Sequence, residues 1–313
     1  MQLAAMSDAK PNRSQTVLAI QGGGAHGAFA WGALDRLLED GLSFAAVTGV
    51  SSGAMIAAMA VQGFVHDGQK GARAAIRLLW EEVAAAHIFG PVNSSMDWLW
   101  GWDKGIELGN EMAWQGLTNA LRMFSPGQLN PFGQNPLQPL LDKLLDVDAI
   151  RDAAAPRLYI GATDVESGKT KIFDNAQISV DVLLASSCIP MMFPAVNIAG
   201  RHYWDGGYSC NPALAPVLQH RPDRLVLIRA QPRMRKGVPN STADIVHRLH
   251  EIAFQAPLDA ELAVLPKSIR LEDISADAAL SIHPLISKMN TEREFLTKLF
   301  NAGRQAAGIP QNA

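Results

Sequence analysis

The sequence predicts an α/β fold in which a mainly parallel central sheet carries helices on both faces. Three observations support this. Short apolar runs at residues 17–20, 45–50 and 224–228 read as buried strands. Segments with apolar residues at helical spacing alternate with them. The first run ends at a glycine cluster, and the second has Ser51 at its exit.

Taken in order, residues 1–15 are polar after the first few and read as a disordered lead-in without an apolar leader core. Strand 17–20 precedes a helix at 28–38, closed by Gly41. Strand 45–50 precedes a small-residue helix at 53–61 and a more amphipathic one at 72–86. From about 88 to 136 the character changes. Gly, Pro and Asn become frequent, and Trp98, Trp100, Trp102 and Trp114 fall here, which reads as an insertion with a helix at 112–124. Regular structure resumes at 137–145. Residues 157–162 and 170–173 read as paired strands around Glu166-Ser167-Gly168. A helix at 180–186 stops before Pro190, and strand 224–228 is followed by a long helix at 241–262. A strand at 268–271 and one terminal helix at 284–307 complete the chain.

At 313 residues the chain suits one large domain, or one domain with an insertion. With 48% hydrophobic and 18% charged residues it is apolar for a water-soluble protein, yet no uninterrupted apolar stretch has the length of a membrane span. A formal net charge of -3 gives no pull toward nucleic acid, which is not expected as a partner. Cys188 and Cys210 make neither a disulfide framework nor a metal pattern. Two free thiols in a reducing compartment, the cytoplasm, are the expectation.

The chemistry is carried by two glycine-framed motifs. Gly49-Val50-Ser51-Ser52-Gly53 has the G-x-S-x-G form that lifts a serine hydroxyl onto a sharp strand-to-helix turn. The frame puts Ser51 at the apex, with Ser52 adjacent. Gly22-Gly23-Gly24-Ala25-His26-Gly27 is a run whose backbone N–H groups can face a developing negative charge. It also satisfies the dinucleotide spacing G-x-G-x-x-G. That reading needs an acidic residue at the exit of the next strand, where Ser51 stands instead. A nucleophile beside a set of N–H donors points to acyl transfer at an ester. A third element, Trp204-Asp205-Gly206-Gly207-Tyr208, is a tight turn by composition. A serine–histidine triad would need a late histidine. His247, His250 and His283 lie late enough, but all have bland helix or surface readings, and His247-x-x-His250-Glu251 is not a zinc-protease pattern.

The order of these motifs resembles the patatin-like phospholipases: Gly-Gly-Gly-x-basic-Gly, then G-x-S-x-G, then a distant Asp-Gly-Gly. Residues 162–168, 185–190, Phe193-Pro194 and Asn211-Pro212 add to the resemblance, which spans about 17–228. It implies a three-layer α/β/α patatin-like fold, with a catalytic domain over 16–230 and residues 231–313 packed on it as an extension. It implies a serine–aspartate dyad: Ser51 as nucleophile and Asp205 as base, in a site dry enough to raise the carboxylate's basicity. Gly22, Gly23 and Gly24 would offer N–H groups to the oxyanion, with His26 and Gly27 in the same loop. No metal and no cofactor are expected. Position 26 is Arg or Lys in many relatives. Here it is His26, which either caps or packs, or serves beside the loop as a donor that is charged only when protonated.

The implied substrate is a lipid ester, a phospholipid or a related lipid. A general carboxylesterase, an intracellular polyester depolymerase and a catalytically idle membrane-binding module are the alternatives. Trp98-Leu99-Trp100-Gly101-Trp102 could form an apolar lid or a peripheral membrane contact, or pack as the insertion's own core. Arg233-Met234-Arg235-Lys236 could meet anionic headgroups, but a run this short is more often a solvated loop.

Overall fold

The structure, a computed structural model, describes residues 15–86, 128, 130, 133–190, 192–235, 237–281, 283 and 285–308. Among them eight strands form one sheet: β1 Thr16–Ile20, β2 Ala46–Gly49, β3 Arg157–Asp164, β4 Thr170–Asp174, β5 Val196–Ile198, β6 Arg201–Asp205, β7 Arg224–Arg229 and β8 Arg270–Ser275. The strand order is β5-β6-β3-β2-β1-β7-β8, with β4 also paired to β3. The run β3-β2-β1-β7-β8 is parallel throughout, while β4, β5 and β6 are antiparallel.

All five residues of β1 are buried, the continuous apolar pattern of a strand covered on both sides. Leu18 and Ile20 face one core, built with helices α1 (Gly27–Glu39) and α2 (Ser52–Ala85). Val17 and Ala19 face another, with Leu214 and Val217 beside helix Ala215–Leu218 and Leu258 on the long helix Thr242–Ala263. The expected α/β/α layering, mainly parallel with helices on both faces, is therefore what the chain forms. Phe29 of α1 is among the largest fully buried side chains; burial on that scale contributes about 2–3 kcal/mol.

Shorter helices Leu137–Leu144, Val147–Arg151 and Val180–Ser186 close the first layer. Numbered in chain order they are α3, α4 and α5, followed by α6 (Ala215–Leu218), α7 (Thr242–Ala263), α8 (Asp277–Leu280) and α9 (Arg293–Ala307). Helix α9 lies backbone to backbone on α1. A Cβ on Gly32 would collide with the carbonyl of Phe300, and one on Gly303 with the carbonyl of Phe29.

The structure corrects several expected elements. The helices expected at 53–61 and 72–86 are one element, α2, bent where Asp67 and Gly68 leave helical geometry. The terminal helix expected over 284–307 is broken. A 3₁₀ turn, Leu285–Met289, precedes α9. Between them Glu292 is extended, and its N–H is held by the Asn290 side chain at 2.9 Å. The hairpin β5–β6 has no counterpart in the sequence reading. Its two-residue turn, Ala199-Gly200, has positive φ at both positions. The 268–271 strand lies further along, as β8.

Residues 88–127 of the expected insertion, with Trp98, Trp100, Trp102, Trp114 and the helix at 112–124, lie outside the described residues, as do Lys236 of the basic run and all but Gln15 of the lead-in. Among the described residues no helix is long and apolar enough to cross a membrane, and no His, Cys, Asp and Glu cluster is arranged to hold a metal. Cys188 and Cys210 are free and buried.

Candidate active site

Strands β1 and β2 are adjacent and parallel, so their exits open on the same side of the sheet. One exit leads into the glycine loop and the other into Ser51. Ser51 has φ 55 and ψ -127, left-handed backbone that a side chain rarely adopts, at a cost of order 1–3 kcal/mol. Its surroundings hold it there. The Ser51 N–H donates to Ser186 Oγ at 2.9 Å, and Ser186 Oγ donates to the Gly161 carbonyl at 2.7 Å. On the other flank the Ser51 carbonyl accepts from Ala54 and Met55, opening α2. The two frame glycines are steric necessities. A Cβ on Gly49 would stand 2.5 Å from the Gly53 carbonyl, and one on Gly53 would overlap the Ile20 carbonyl. The result is a half-buried hydroxyl at the N-terminus of a long helix.

Asp205 arrives from the antiparallel part of the sheet. On β3, Ile160 pairs with Gly49 of β2, and Ala162, two residues on, pairs with Asp205. The end of β6 is thereby brought to the exit of β2. The Asp205 carboxylate is buried, accepts a hydrogen bond from the Gly207 N–H at 2.8 Å, and has the Ser51 side chain beside it. Its backbone is pinned as well: its N–H donates to the Cys188 carbonyl at 2.8 Å and its carbonyl accepts from Thr163 Oγ1 at 2.8 Å. Burial pushes the acid up to about 6, while the Gly207 N–H, the Ser51 hydroxyl and the Lys288 ammonium work against that rise. A carboxylate of that basicity, beside a serine hydroxyl, can accept a proton near neutral pH.

The glycine loop differs from the expectation of three free donors. The Gly22 N–H donates to Asn211 Oδ1 at 2.8 Å and the Gly23 N–H to Ser52 Oγ at 3.1 Å. Gly24, at φ 60, begins a 3₁₀ turn, Gly24–His26. Among the described residues, the N–H groups of Gly24 and Ala25 have no acceptor. Gly27 acts by its lack of a side chain: a Cβ there would meet Ser52 Oγ at 2.6 Å. Ser52 itself, the alternative serine, is buried and tied to the loop.

His26 packs, rather than standing beside the loop as a conditional cation. It is buried, its Nε2 is 2.7 Å from Ser287 Oγ, and its ring lies against Phe295 and His283. Burial, then the nearby Lys288, holds it well below the usual histidine range, so it is neutral at physiological pH. The late histidines do not complete a triad. His247 is 3.2 Å from Glu251 within α7, and His250 lies against Phe254. Sequence reasoning passed over Asn211 as a ligand of the loop, over Ser186 as the support of Ser51, and over Lys288. Asn211 was visible only as part of an Asn-Pro pair.

Comparisons with known proteins bear on the family of the chain. A family model described as patatin-like phospholipase matches residues 18–218. No curated protein matches the chain by sequence. Among solved structures the chain is similar to VipD from Legionella pneumophila, at 14% identity and a TM-score of 0.43, over 94% of this chain and 66% of that one. It is also similar to a chain of the SpcU–ExoU complex from the type III secretion system of Pseudomonas aeruginosa, at 15% identity and a TM-score of 0.30, over 95% of this chain and 53% of that one.

Proposed function

The chain belongs to the patatin-like phospholipase family, and on that premise we propose that it is a lipid acyl hydrolase working through Ser51 and Asp205. The observation that carries this reading is the Ser51 side chain set beside a buried carboxylate from a remote strand. Asp205 takes the Ser51 proton as Oγ attacks the ester carbonyl carbon, and the carbonyl π electrons move onto its oxygen. Gly24 and Ala25 donate their N–H groups to that oxyanion; one such donor is worth about 3 kcal/mol of transition-state stabilisation. The oxyanion collapses, the carbon–oxygen bond to the alcohol breaks, and Asp205 returns the proton to the leaving alkoxide. Water, deprotonated by the same carboxylate, then attacks the acyl carbon; the ester bond to Ser51 breaks, Asp205 returns the proton to the departing Ser51 Oγ, and the fatty acid is released.

The surroundings favour a lipid over a small polar ester. Tyr208, beside Asp205, is 41% exposed and packs on Phe254 of α7. That helix also shows Ile245, Leu249 and Ile252 to solvent, at the spacing of one helical face. An apolar rim of this kind suits acyl chains and transient contact with a lipid surface.

The test is a fluorophosphonate probe, with hydrolysis of phosphatidylcholine, a triglyceride and p-nitrophenyl butyrate measured in parallel. Wild type should label and cleave lipid esters, and Ser51→Ala should do neither. Labelling that survives in Ser51→Ala would overturn the nucleophile. Cleavage confined to p-nitrophenyl butyrate would replace the lipid substrate with a small ester, and a folded wild type inert to the probe would leave a binding module.

A further inference from the structure

A cation reaches the glycine loop from the far end of the chain. Lys288 lies in the 3₁₀ turn Leu285–Met289, which crosses directly over Gly24. A Cβ on Gly24 would stand 2.5 Å from the Lys288 carbonyl and 3.4 Å from its Cβ. Lys288 Nζ donates to Gln231 Oε1 at 3.3 Å, and Gln231 Nε2 donates to the Gly22 carbonyl at 2.8 Å. The Gln231 N–H is held in turn by Gln21 Oε1 at 3.0 Å. One glutamine thus tethers the ammonium to the loop that cradles the oxyanion, and the ammonium lies within electrostatic reach of Asp205.

We propose that Lys288 is an electrostatic positioning residue of this hydrolase. Its ammonium supplies over the glycine loop the positive charge that His26 does not, and favours both the ionised Asp205 and the oxyanion. The inference rests on the assignment of Ser51 and Asp205 above.

The charged and titratable groups around the ammonium are Asp205, at the end of β6, Glu251 and His250 on α7, Arg235 on the loop before it, and His26 on the glycine loop. Burial, aided by Arg235, pulls Lys288 down to about 8, while Glu251 and Asp205 help it keep its proton. His26 and His250 are both held below the usual histidine range, chiefly by burial, and stay neutral where Lys288 titrates. Glu251 is held low by His247 and Arg235, against its own burial, and stays ionised. The positive charge over the loop is therefore present below pH 8 and fades as pH rises through it.

The experiment measures kcat and KM against pH for wild type, Lys288→Met and Lys288→Arg. Its substrates are p-nitrophenyl butyrate, which has no headgroup, and phosphatidylcholine. Ser51→Ala runs beside them, and fluorophosphonate titration counts competent sites. Lys288→Met should lower kcat on both substrates by about 10–100-fold with little change in KM. It should also erase the alkaline limb near pH 8 and move the acidic limb, set by Asp205, to higher pH. Lys288→Arg should restore much of kcat and move the alkaline limb upward. A wild-type kcat in Lys288→Met, or a loss confined to KM for phosphatidylcholine, overturns the inference; the second would make Lys288 a headgroup ligand. Should Lys288→Met fail to fold, an alkaline limb left at pH 8 in Lys288→Arg overturns it equally. These results leave the hydrolase reading standing when Ser51→Ala is dead. A wild type without turnover or labelling ends that reading, and this inference with it.

Discussion

The side-chain oxygen of Asn211 accepts the Gly22 N–H at 2.8 Å, joining two segments 189 residues apart in sequence. The turn that follows Asp205 is thereby tied to the glycine loop. Ser51, the nucleophile proposed here, lies against that loop: a Cβ on Gly22 would stand 2.9 Å from the Ser51 Cβ.

Asn211→Ala should separate the two segments. It leaves the buried Gly22 N–H unpaired, which costs about 1–3 kcal/mol. Urea unfolding should show that loss. Turnover should fall in kcat more than in KM, because the role proposed for the displaced loop is to stabilise the transition state rather than the bound ester. A variant as stable and active as wild type would remove Asn211 from the site.

Asp205→Asn should lower kcat/KM by a factor of order 10⁴ while the fold persists. In wild type, kcat/KM should fall below about pH 6, where the carboxylate takes up a proton and stops acting as a base. Stability moves the other way. The folded acid sits above its unfolded value near 3.9, so its favourable contribution is complete below pH 4 and is lost as pH rises through 6. At pH 7.5 the ionised group therefore costs on the order of 3 kcal/mol. Thermal melts at pH 7.5 should find Asp205→Asn more stable than wild type, and the advantage should shrink at pH 4.5.

His26→Gln addresses a different pH window. A buried histidine held below its usual value stays neutral in the fold, while the unfolded chain takes up a proton below about 6.5. Wild type should lose stability as pH falls through that value, and His26→Gln should lose less. The measurement is the difference in urea midpoint between pH 7.5 and 5.5 for each protein. Equal differences would mean that His26 charges freely in the fold.

Gly53→Ala should be among the most damaging single-methyl changes in this protein. The added carbon would overlap the Ile20 carbonyl, and neither backbone segment can yield, since β1 is locked between β2 and β7. A loss of at least about 3 kcal/mol, or failure to accumulate as soluble protein, is expected. Gly168→Ala is the comparison. It has no heavy atom within 4 Å of the new carbon, so only its φ of 65 opposes it. Circular dichroism and urea melts of the two variants give the contrast.

What could be read from the residues alone was whatever depends on local pattern. The G-x-S-x-G frame placed Ser51 because Gly49 answers to Gly53 within one strand-to-helix turn, although Gly53 itself answers to Ile20 on the neighbouring strand. The apolar runs of β1, β2 and β7 were legible because buried parallel strands are continuously apolar. What escaped depends on partners remote in sequence. Gly22 and Gly23 look like free donors until Asn211 and Ser52 are folded against them. Lys288 carries no motif and reaches the loop only because β8 and α9 bring the end of the chain back to it. The break at Glu292 turns on one Asn290 side chain, which helical periodicity does not register.

The family match stops at residue 218, and β7 starts at Arg224. Yet β7 runs beside β1 along its whole length, β8 lies beyond it, and α9 is seated on α1 without side-chain padding. A gene cut at the border of the recognisable pattern would bare the flank of the innermost strand and uncover the helix that leaves the glycine loop. Such a fragment would be sticky and inert. Recombinant work, chimeras and evolutionary shuffling must therefore carry both halves together, since the heritable unit is wider than its signature.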